Sequence, residues 1–109
     1  MNARNAGYLK RIGALFARHG EAVTLHNPSA DHAVLGLFTV ADGPLVAQYF
    51  DSSEALDLIR PVLAVYLDPT VYVPVVGDTF SRDGRLFTVR RVGLYKECGT
   101  ALLLAALCD

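Results

Sequence analysis

Three histidines are the first candidates for chemistry in this sequence. His19, His26 and His32 follow one another at spacings of seven and six residues. Compact zinc sites usually take their ligands in pairs at shorter spacing, and neither cysteine has a nearby partner of that kind. The sequence therefore predicts surface or capping histidines, with no metal or cofactor.

Three carboxylates form a second candidate group. Asp51, Glu54 and Asp57 recur at a spacing of three residues, so a helix would place them on one face. Paired carboxylates serve as general acid and base when their environments differ strongly. No neighbouring sequence feature supplies such a difference, so we expect a solvated acidic face.

Cys98 is a third candidate, because the nearby Lys96 ammonium would favour a thiolate. Cys98 and Cys108 are too few for a disulfide scaffold, and we expect both to be reduced thiols. The Gly77-Asp78 and Asp83-Gly84 pairs indicate turns without a following helix, unlike a phosphate-binding loop. The sequence therefore predicts no enzymatic activity.

Arginines and phenylalanines are interleaved near the end of the chain. Such a pattern can form a basic and aromatic platform for single-stranded nucleic acid. Alternatively, the rings fill a barrel while the arginines lie outside, and the net charge of −1 favours this second interpretation. The residues concerned are Phe80, Arg82, Arg85, Phe87, Arg90 and Arg91.

Charge is sorted along the chain, with +4 in residues 1–20, −6 in residues 21–76 and +1 in residues 77–109. A duplex-binding domain usually shows a basic excess, which this chain lacks. Sorted charge suits a protein that meets other proteins through differently charged ends, although simple solvation of the charges would also explain it.

The composition is more apolar than usual. Of 109 residues, 52% are apolar and 19% charged, against typical shares of about 45–50% and about 25%. We therefore expect apolar surface that is hidden against a partner. The length predicts a single domain, 1–109, with a helix over 1–20 and a β-barrel over 21–109.

The elements that position these residues begin with a helix over Asn5–His19, with Gly20 in a left-handed conformation after it. Its apolar stripe comprises Tyr8, Leu9, Ile12, Leu15 and Phe16. We expect no signal peptide, since glycines and basic residues interrupt every early apolar run. The longest apolar run has eight residues, against about twenty for a membrane-spanning helix.

Short β-stretches separated by turn residues fill the rest of the chain. Asp51 and Glu54 have the spacing of a capping box, which predicts a short helix ending by Pro61. Asp83-Gly84 predicts a two-residue hairpin turn. The fold class is therefore mainly β (α+β), a small antiparallel barrel or sandwich with an N-terminal helix. The predicted strands are 23–25, 33–40, 45–50, 62–67, 79–82, 85–92 and 101–107.

The order of these features resembles the head–tail joining (head-completion or tail-attachment) proteins of tailed bacteriophages. An N-terminal helix and the alternating Val23-Thr24-Leu25 precede an apolar strand over Ala33–Phe38, which is similar to that family's strand ending in Gly-apolar-Phe. A strand over 62–68 follows. Gly77-Asp78-Thr79-Phe80, a hairpin, the strand Leu86–Val92 and a strongly apolar last strand complete the resemblance.

The resemblance implies a structural protein, a subunit of a homo-oligomeric ring in the neck that completes the head after DNA packaging and receives the tail. It implies as partners further copies of the chain, a portal or adaptor protein, and a tail-terminator or tail protein. Packaged DNA would pass through the channel without sequence-specific binding. The expected location is the virion, assembled in the bacterial host cytoplasm, with no membrane partner.

Charge and expected exposure nominate the contact residues of such a subunit. We expect partner contacts at Arg4, Lys10, Arg11, Arg18, Asp51, Glu54 and Asp57, and a hairpin that can face the channel at Arg82, Asp83, Gly84 and Arg85. Two alternatives stay open. One is a tail-terminator or another neck or tail ring subunit, and the other is a cellular β-barrel domain that binds nucleic acid or peptide through the Arg82–Arg91 face.

Overall fold

The protein forms a closed six-stranded antiparallel barrel with a leading helix. The computed structural model describes residues 3–59, 61–69, 71–97 and 99–109, and among these every side chain except those of residues 3–5, 8, 9, 97 and 100. The strand order around the barrel is β1-β2-β3-β6-β5-β4. The predicted mainly β fold with an N-terminal helix is therefore confirmed. Within the described ranges the elements are α1 (Ala3–His19), β1 (Glu21–His26), β2 (Asp31–Val40), α2 (Gly43–Tyr49), α3 (Ser52–Leu56), β3 (Leu63–Leu67), β4 (Thr79–Arg82), β5 (Arg85–Glu97) and β6 (Thr100–Cys108).

Alternating strand residues fill the barrel interior, as the period of two in a β-strand requires. Phe80 and Phe87 face each other across β4 and β5, and their rings stack with centroids 5.4 Å apart. This outcome matches the interpretation in which the phenylalanines fill the barrel. The buried interior comprises Val23, Leu25, Val34, Leu63, Val65, Leu67, Phe80, Phe87, Val89, Leu104, Ala106 and Cys108.

The β4–β5 hairpin turns at the predicted Asp83-Gly84 pair. Asp83 has φ 53° and Gly84 has φ 78°, the two positive values that a two-residue hairpin turn demands. Strand β5 is longer than predicted, because it continues to pair with β6 as far as Glu97 and Thr100. The turn predicted over residues 96–99 is correspondingly shorter.

Helix α1 docks through only part of its predicted apolar stripe. Phe16 is buried and Ile12 is half-buried, whereas Leu15 is 47% exposed. Tyr8 and Leu9 belong to the helix, but their side chains lie outside the described part. The helix therefore leaves apolar surface uncovered near its C-terminal end.

Gly20 follows α1, but the predicted left-handed conformation is wrong, since Gly20 is not among the glycines with positive φ. Its amide instead donates to the Phe16 carbonyl at 2.8 Å and continues the helical pattern. A Cβ at this position would lie 2.4 Å from the same carbonyl oxygen. Glycine is required here by a close backbone approach rather than by its φ.

The predicted strand over residues 45–50 is wrong, because these residues form helix α2 and its cap. The Asp42 side chain accepts a hydrogen bond from the Leu45 amide at 2.8 Å, and Pro44 occupies the first turn. Both are helix-starting features. Val46 and Phe50 lie four residues apart and so share the face that packs on the barrel.

Helix α3 begins with the predicted capping box. The Asp51 carboxylate accepts from the Glu54 amide at 2.7 Å, and Glu54 accepts from the Asp51 amide at 3.1 Å. The helix ends at Leu56, earlier than the Pro61 limit. The cluster beneath α2 and α3 covers the outer face of β3 and the end of β6, so β6 is buried on both faces there, with Ala106 inside the barrel and Leu107 under the helices.

Candidate functional site

Helix α1 presents a basic surface. Lys10, Arg11 and Arg18 are exposed, and none of them has an ion-pair partner among the residues that the structure describes. Arg18 lies in the last turn, where a positive charge interacts favourably with the negative end of the helix dipole. Arg4 belongs to the first turn, and its side chain falls outside the described part. The structure thus exposes three of the four predicted basic side chains on α1.

An apolar groove runs between α1 and the outer face of the β1–β2 hairpin, with a volume of about 390 Å³. We call it the α1 groove. It is open to solvent because small residues line both walls, so the helix and the hairpin do not fill the space between them. The lining residues are Gly13, Phe16, Ala17, Ala22, Ala33, Val34, Leu35, Asp68 and Val71.

The α1 groove is not predictable from any single pattern in the sequence. The signs in the sequence are Gly13 within an otherwise apolar helix face, and Ala22 and Ala33 at outward positions of two paired strands. Each is ordinary alone. The groove exists only because the packing of α1 places them side by side.

The acidic segment on α3 has two kinds of carboxylate. Asp51 and Glu54 form the capping box, and Glu54 also pairs with the Arg91 guanidinium. Asp57 is the C-terminal cap residue of α3, is exposed, and has no ion-pair partner among the described residues. The three predicted carboxylates therefore lie on one short segment, and Asp57 differs from the other two in having no side-chain hydrogen bond or ion pair with any residue that the structure describes.

Two apolar side chains flank Asp57. Leu56 is 86% exposed and Ile59 is 62% exposed. We call Leu56, Asp57 and Ile59 the α3 tip. Single exposed leucines are common on protein surfaces, whereas here two exposed aliphatic side chains lie within two residues of an exposed carboxylate.

The predicted hairpin residues are held by contacts within the chain. Arg82 donates to both Glu21 carboxylate oxygens, at 2.9 Å from Nε and 3.1 Å from Nη2, and lies over the Phe38 ring. These hydrogen bonds raise the pKa of Arg82 above its ordinary value. Arg85 lies over the Phe87 ring at 4.6 Å.

These contacts bear on the platform for single-stranded nucleic acid. Such a platform needs aromatic faces on which bases can stack. Phe80 and Phe87 are buried inside the barrel, and the guanidinium groups of Arg82 and Arg85 cover Phe38 and Phe87. The arrangement does not offer these rings to a base.

Arg90 lies where β5 bulges against β6, between the Val89–Cys108 pair and the Arg91–Leu107 pair. Arg90 Nε donates to the buried Asp109 carboxylate at 2.6 Å, and the Ile59 amide donates to its other oxygen at 2.9 Å. A bulge adds one residue to a strand and changes the direction of its side chains. Through Asp109, the Arg90 side chain at this bulge is connected to Ile59 in the segment that carries the α3 tip.

A second buried carboxylate, Asp78, is 1% exposed. Its Oδ2 accepts from the Tyr72 hydroxyl at 2.7 Å and from the Val75 amide at 3.2 Å. Its Oδ1 has no hydrogen-bond partner among the described residues. Desolvation and the hydrogen bond to Asp78 raise the pKa of Tyr72, which also stacks on His32 at 3.8 Å.

The Asp78 contacts hold residues 71–76, which we call the valine loop, against the barrel. Four valines of this loop are exposed. The Gly77-Asp78 pair predicts only a turn, and the buried carboxylate is not evident from it, because the partners of Asp78 are the Tyr72 hydroxyl six residues earlier and the Val75 amide, which no standard turn or cap pattern specifies. The exposed valines are Val71, Val73, Val75 and Val76.

The remaining candidates for chemistry lie apart. His26 contacts Asp31 at 2.8 Å, and within the described ranges no three metal-ligating side chains come together. Burial raises the pKa of the Cys108 thiol to about 12, so this side chain is an inert core residue. Cys98 lies outside the described residues.

Comparisons with protein-family models, with curated proteins and with solved structures find no match for this chain. Across the residues that the structure describes, no helix combines the length and the apolar character needed to span a membrane.

Proposed function

We propose that the protein is a structural subunit of a ring at the head–tail junction of a tailed bacteriophage, where it completes the filled head and mediates tail attachment. The proposal assigns it protein partners and no catalytic role. Each subunit contacts further copies of the chain in the ring, a portal or adaptor protein on one side and a tail protein on the other.

The observation that carries the proposal is the surface of this small barrel. Exposed basic residues are collected on α1 and the exposed Asp57 carboxylate lies on the α3 tip, all without an ion-pair partner in the described part of the chain, and exposed apolar side chains lie beside both. Specific interfaces between proteins combine apolar contact with complementary charge. A ring subunit needs such surface on at least two sides, because it contacts two neighbours.

The order of elements supports the same proposal. A leading helix, a barrel, the Asp83-Gly84 hairpin and a strongly apolar last strand are the features on which the resemblance to head–tail joining proteins rests. All four are present in the fold.

The charge of the subunit also fits a channel through which DNA slides. Tight phosphate binding would retard the DNA, and phosphate affinity grows with the number of basic contacts. The net charge is −1, and Arg82 of the hairpin is neutralised by Glu21. We infer that the hairpin can face the channel without holding DNA.

Joining of purified heads and tails tests the proposal. Filled heads and free tails are prepared from phage-producing cells in which the gene for this chain is inactivated, and the purified protein is added back. We expect the protein to restore tailed particles in electron micrographs, and a variant with Arg11→Glu and Arg18→Glu to restore far fewer. Heads that join tails equally well without the protein would contradict the proposal.

The same preparation separates the alternatives. A tail-terminator would co-purify with tails, whereas a head-completion subunit co-purifies with filled heads. Binding of oligonucleotides by the isolated protein, with a steep dependence on salt, would favour a nucleic-acid-binding domain instead.

A further inference from the structure

We propose that the valine loop is a strap with two states, which is latched to the barrel by Tyr72 and swings away from it about Gly77 while the barrel stays folded. The inference concerns the conformation of the chain by itself and does not depend on the proposed function. Three features carry it: the loop has no ladder of backbone pairs, its latch is one side chain, and the latched state leaves a buried oxygen without a partner.

The valine loop lies between β3 and β4 and belongs to no strand. Tyr72 is half-buried and Pro74 is buried, whereas the valines that flank them are exposed. This alternation gives the loop one side that faces the barrel and one side that faces solvent. Tyr72 packs against the buried interior of the barrel.

No backbone ladder holds the loop to another strand. Within the described ranges, its backbone-to-backbone hydrogen bonds are two turn contacts. The Val71 amide donates to the Asp68 carbonyl at 3.2 Å, and the Asp78 amide donates to the Val75 carbonyl at 3.1 Å. Both contacts join residues that are three apart in the sequence, so neither fastens the loop to a distant part of the chain.

Gly77 is the point about which the loop swings. The chain is fixed to β5 from this residue onward, because the Gly77 amide donates to the Val89 carbonyl at 2.9 Å. The Val89 amide in turn donates to the Asp78 carbonyl at 2.8 Å. Gly77 has φ 103°, in the backbone region that favours glycine. The change from an unpaired to a paired backbone at this glycine places the pivot there.

The Tyr72 side chain is the latch. Its hydroxyl donates to Asp78 Oδ2 at 2.7 Å and accepts from the Asn27 side-chain amide at 3.0 Å. Its ring stacks on His32, with centroids 3.8 Å apart. Asn27 follows β1 and His32 belongs to β2, so this one side chain connects the loop to the β1–β2 hairpin as well as to Asp78.

The latched state leaves one oxygen of Asp78 unsatisfied. The carboxylate is 1% exposed, and Oδ1 has no hydrogen-bond partner among the described residues. A buried polar atom without a partner loses the free energy of its hydration. Water reaches this oxygen when the loop swings away, and its hydration offsets part of the cost of the broken hydrogen bonds. Opening of the loop is therefore less costly than unfolding of the barrel.

The two states present different surfaces. The latched loop holds its four exposed valines in one arrangement. In the open state that arrangement is lost, and the Asp78 carboxylate and the Tyr72 hydroxyl are in contact with solvent. A molecule that bound the valines in their latched arrangement would shift the chain toward the closed state.

Native-state hydrogen exchange, followed residue by residue by NMR, tests the inference on the unmodified chain. The Val75 and Asp78 amides are the reporters, because a swing about Gly77 separates the hydrogen bonds that these two residues make with each other. We expect both amides to exchange at least about ten-fold faster than the slowest amides of the β3–β6 ladder, at rates that change little in low concentrations of urea.

Two results with the unmodified chain would overturn the inference. Reporter rates equal to those of the ladder amides, with the same steep dependence on urea, would mean that the loop opens only when the whole barrel unfolds. Reporter rates equal to those of an unfolded peptide would mean that the loop is not latched.

Two substitutions separate opening of the loop from unfolding of the barrel. Tyr72→Phe removes the latch hydroxyl and should accelerate exchange of both reporters at least about ten-fold, the factor that corresponds to a hydrogen bond to a charged group. The matched control Asp51→Ala removes the capping box of α3 and should accelerate the slowest β3–β6 amides about five-fold while the reporters stay unchanged. Reporters that follow the β3–β6 amides in the control, or that do not respond to Tyr72→Phe, would contradict the latch.

Thiol labelling gives an independent readout within one molecule. With Cys98→Ala and Pro74→Cys, the chain has one thiol on the buried side of the loop and the buried thiol of Cys108. Cys108 belongs to the barrel interior, so its labelling reports unfolding of the barrel. The thiol on the loop should react at least about ten-fold faster than Cys108. Equal labelling rates of the two thiols would overturn the inference.

Discussion

The substitution Tyr72→Phe removes only one hydroxyl group, but it should destabilise the protein far more than the loss of a hydroxyl group from an exposed tyrosine. The Tyr72 hydroxyl donates to Asp78 Oδ2 at 2.7 Å, and the carboxylate is 1% exposed. After the substitution, Asp78 keeps the Val75 amide as its one donor among the described residues. The phenyl ring preserves the stack on His32, so the change is confined to hydrogen bonding.

The expected magnitude follows from the charge of the acceptor. A hydrogen bond to a charged group contributes about 1.5–3 kcal/mol, and loss of one donor to a buried carboxylate takes away most of that. We therefore expect the free energy of unfolding to fall by about 2 kcal/mol, which lowers Tm by roughly 10 °C in a domain of this size.

Urea unfolding followed by far-ultraviolet circular dichroism measures this change, since the chain has no tryptophan to report by fluorescence. The m-value should be unchanged, because the fold and the exposed surface are the same. Tyr95→Phe is the matched control. Tyr95 is 59% exposed, so its loss of a hydroxyl should change the free energy by less than about 0.5 kcal/mol.

The difference between Tyr72→Phe and the parent protein should also depend on pH. The pKa of Tyr72 is raised in the folded state, so the neutral hydroxyl contributes its full stability below the ordinary tyrosine pKa of 10.0. That contribution is lost as pH rises through the raised value. Equal stability of the two tyrosine variants at neutral pH would refute the assigned role of the Tyr72 hydroxyl.

Three further outcomes are expected from other positions. Gly20→Ala should destabilise the fold, because the added Cβ would lie 2.4 Å from the Phe16 carbonyl oxygen. Gly7→Ala, in the α1 interior where a Cβ meets no atom within 4 Å, should instead stabilise the fold by about 0.5–1 kcal/mol. Thermal unfolding measures both changes. Asp51→Ala should cost about 1 kcal/mol of stability in the same assay through loss of the capping box, and a cost near zero would contradict the capping role. In a Cys98→Ala background the thiol of Cys108, whose pKa is raised to about 12, should stay unreactive toward a thiol reagent at pH 8 until the protein unfolds, and fast labelling of the folded protein would contradict its burial.

Features that depend on adjacent residues were predictable from the sequence. The Asp83-Gly84 turn and the Asp51–Glu54 capping box are set by local backbone geometry, and both are present. The sequence predicts a strand where α2 forms, because Leu45–Phe50 is short and apolar and a run of that length has no clear period. The Asp42 cap and Pro44 begin the helix, so the residues before the apolar run determine that it is helical.

Features that depend on distant residues were not predictable. Asp109 is a buried acid whose partners, the Arg90 guanidinium and the Ile59 amide, lie on other segments of the chain. The α1 groove depends on how α1 packs against the β1–β2 hairpin after the chain turns at Gly20, and no pattern in the sequence specifies that packing. The predicted basic and acidic residues were nominated by charge, and the structure adds which of them lack a partner within the described part.

Electron cryomicroscopy of phage particles from cells that make this chain tests the central claim most directly. The account predicts density for the barrel and its leading helix in a ring between the portal and the tail. Purified particles whose neck contains no density for this chain would contradict the account.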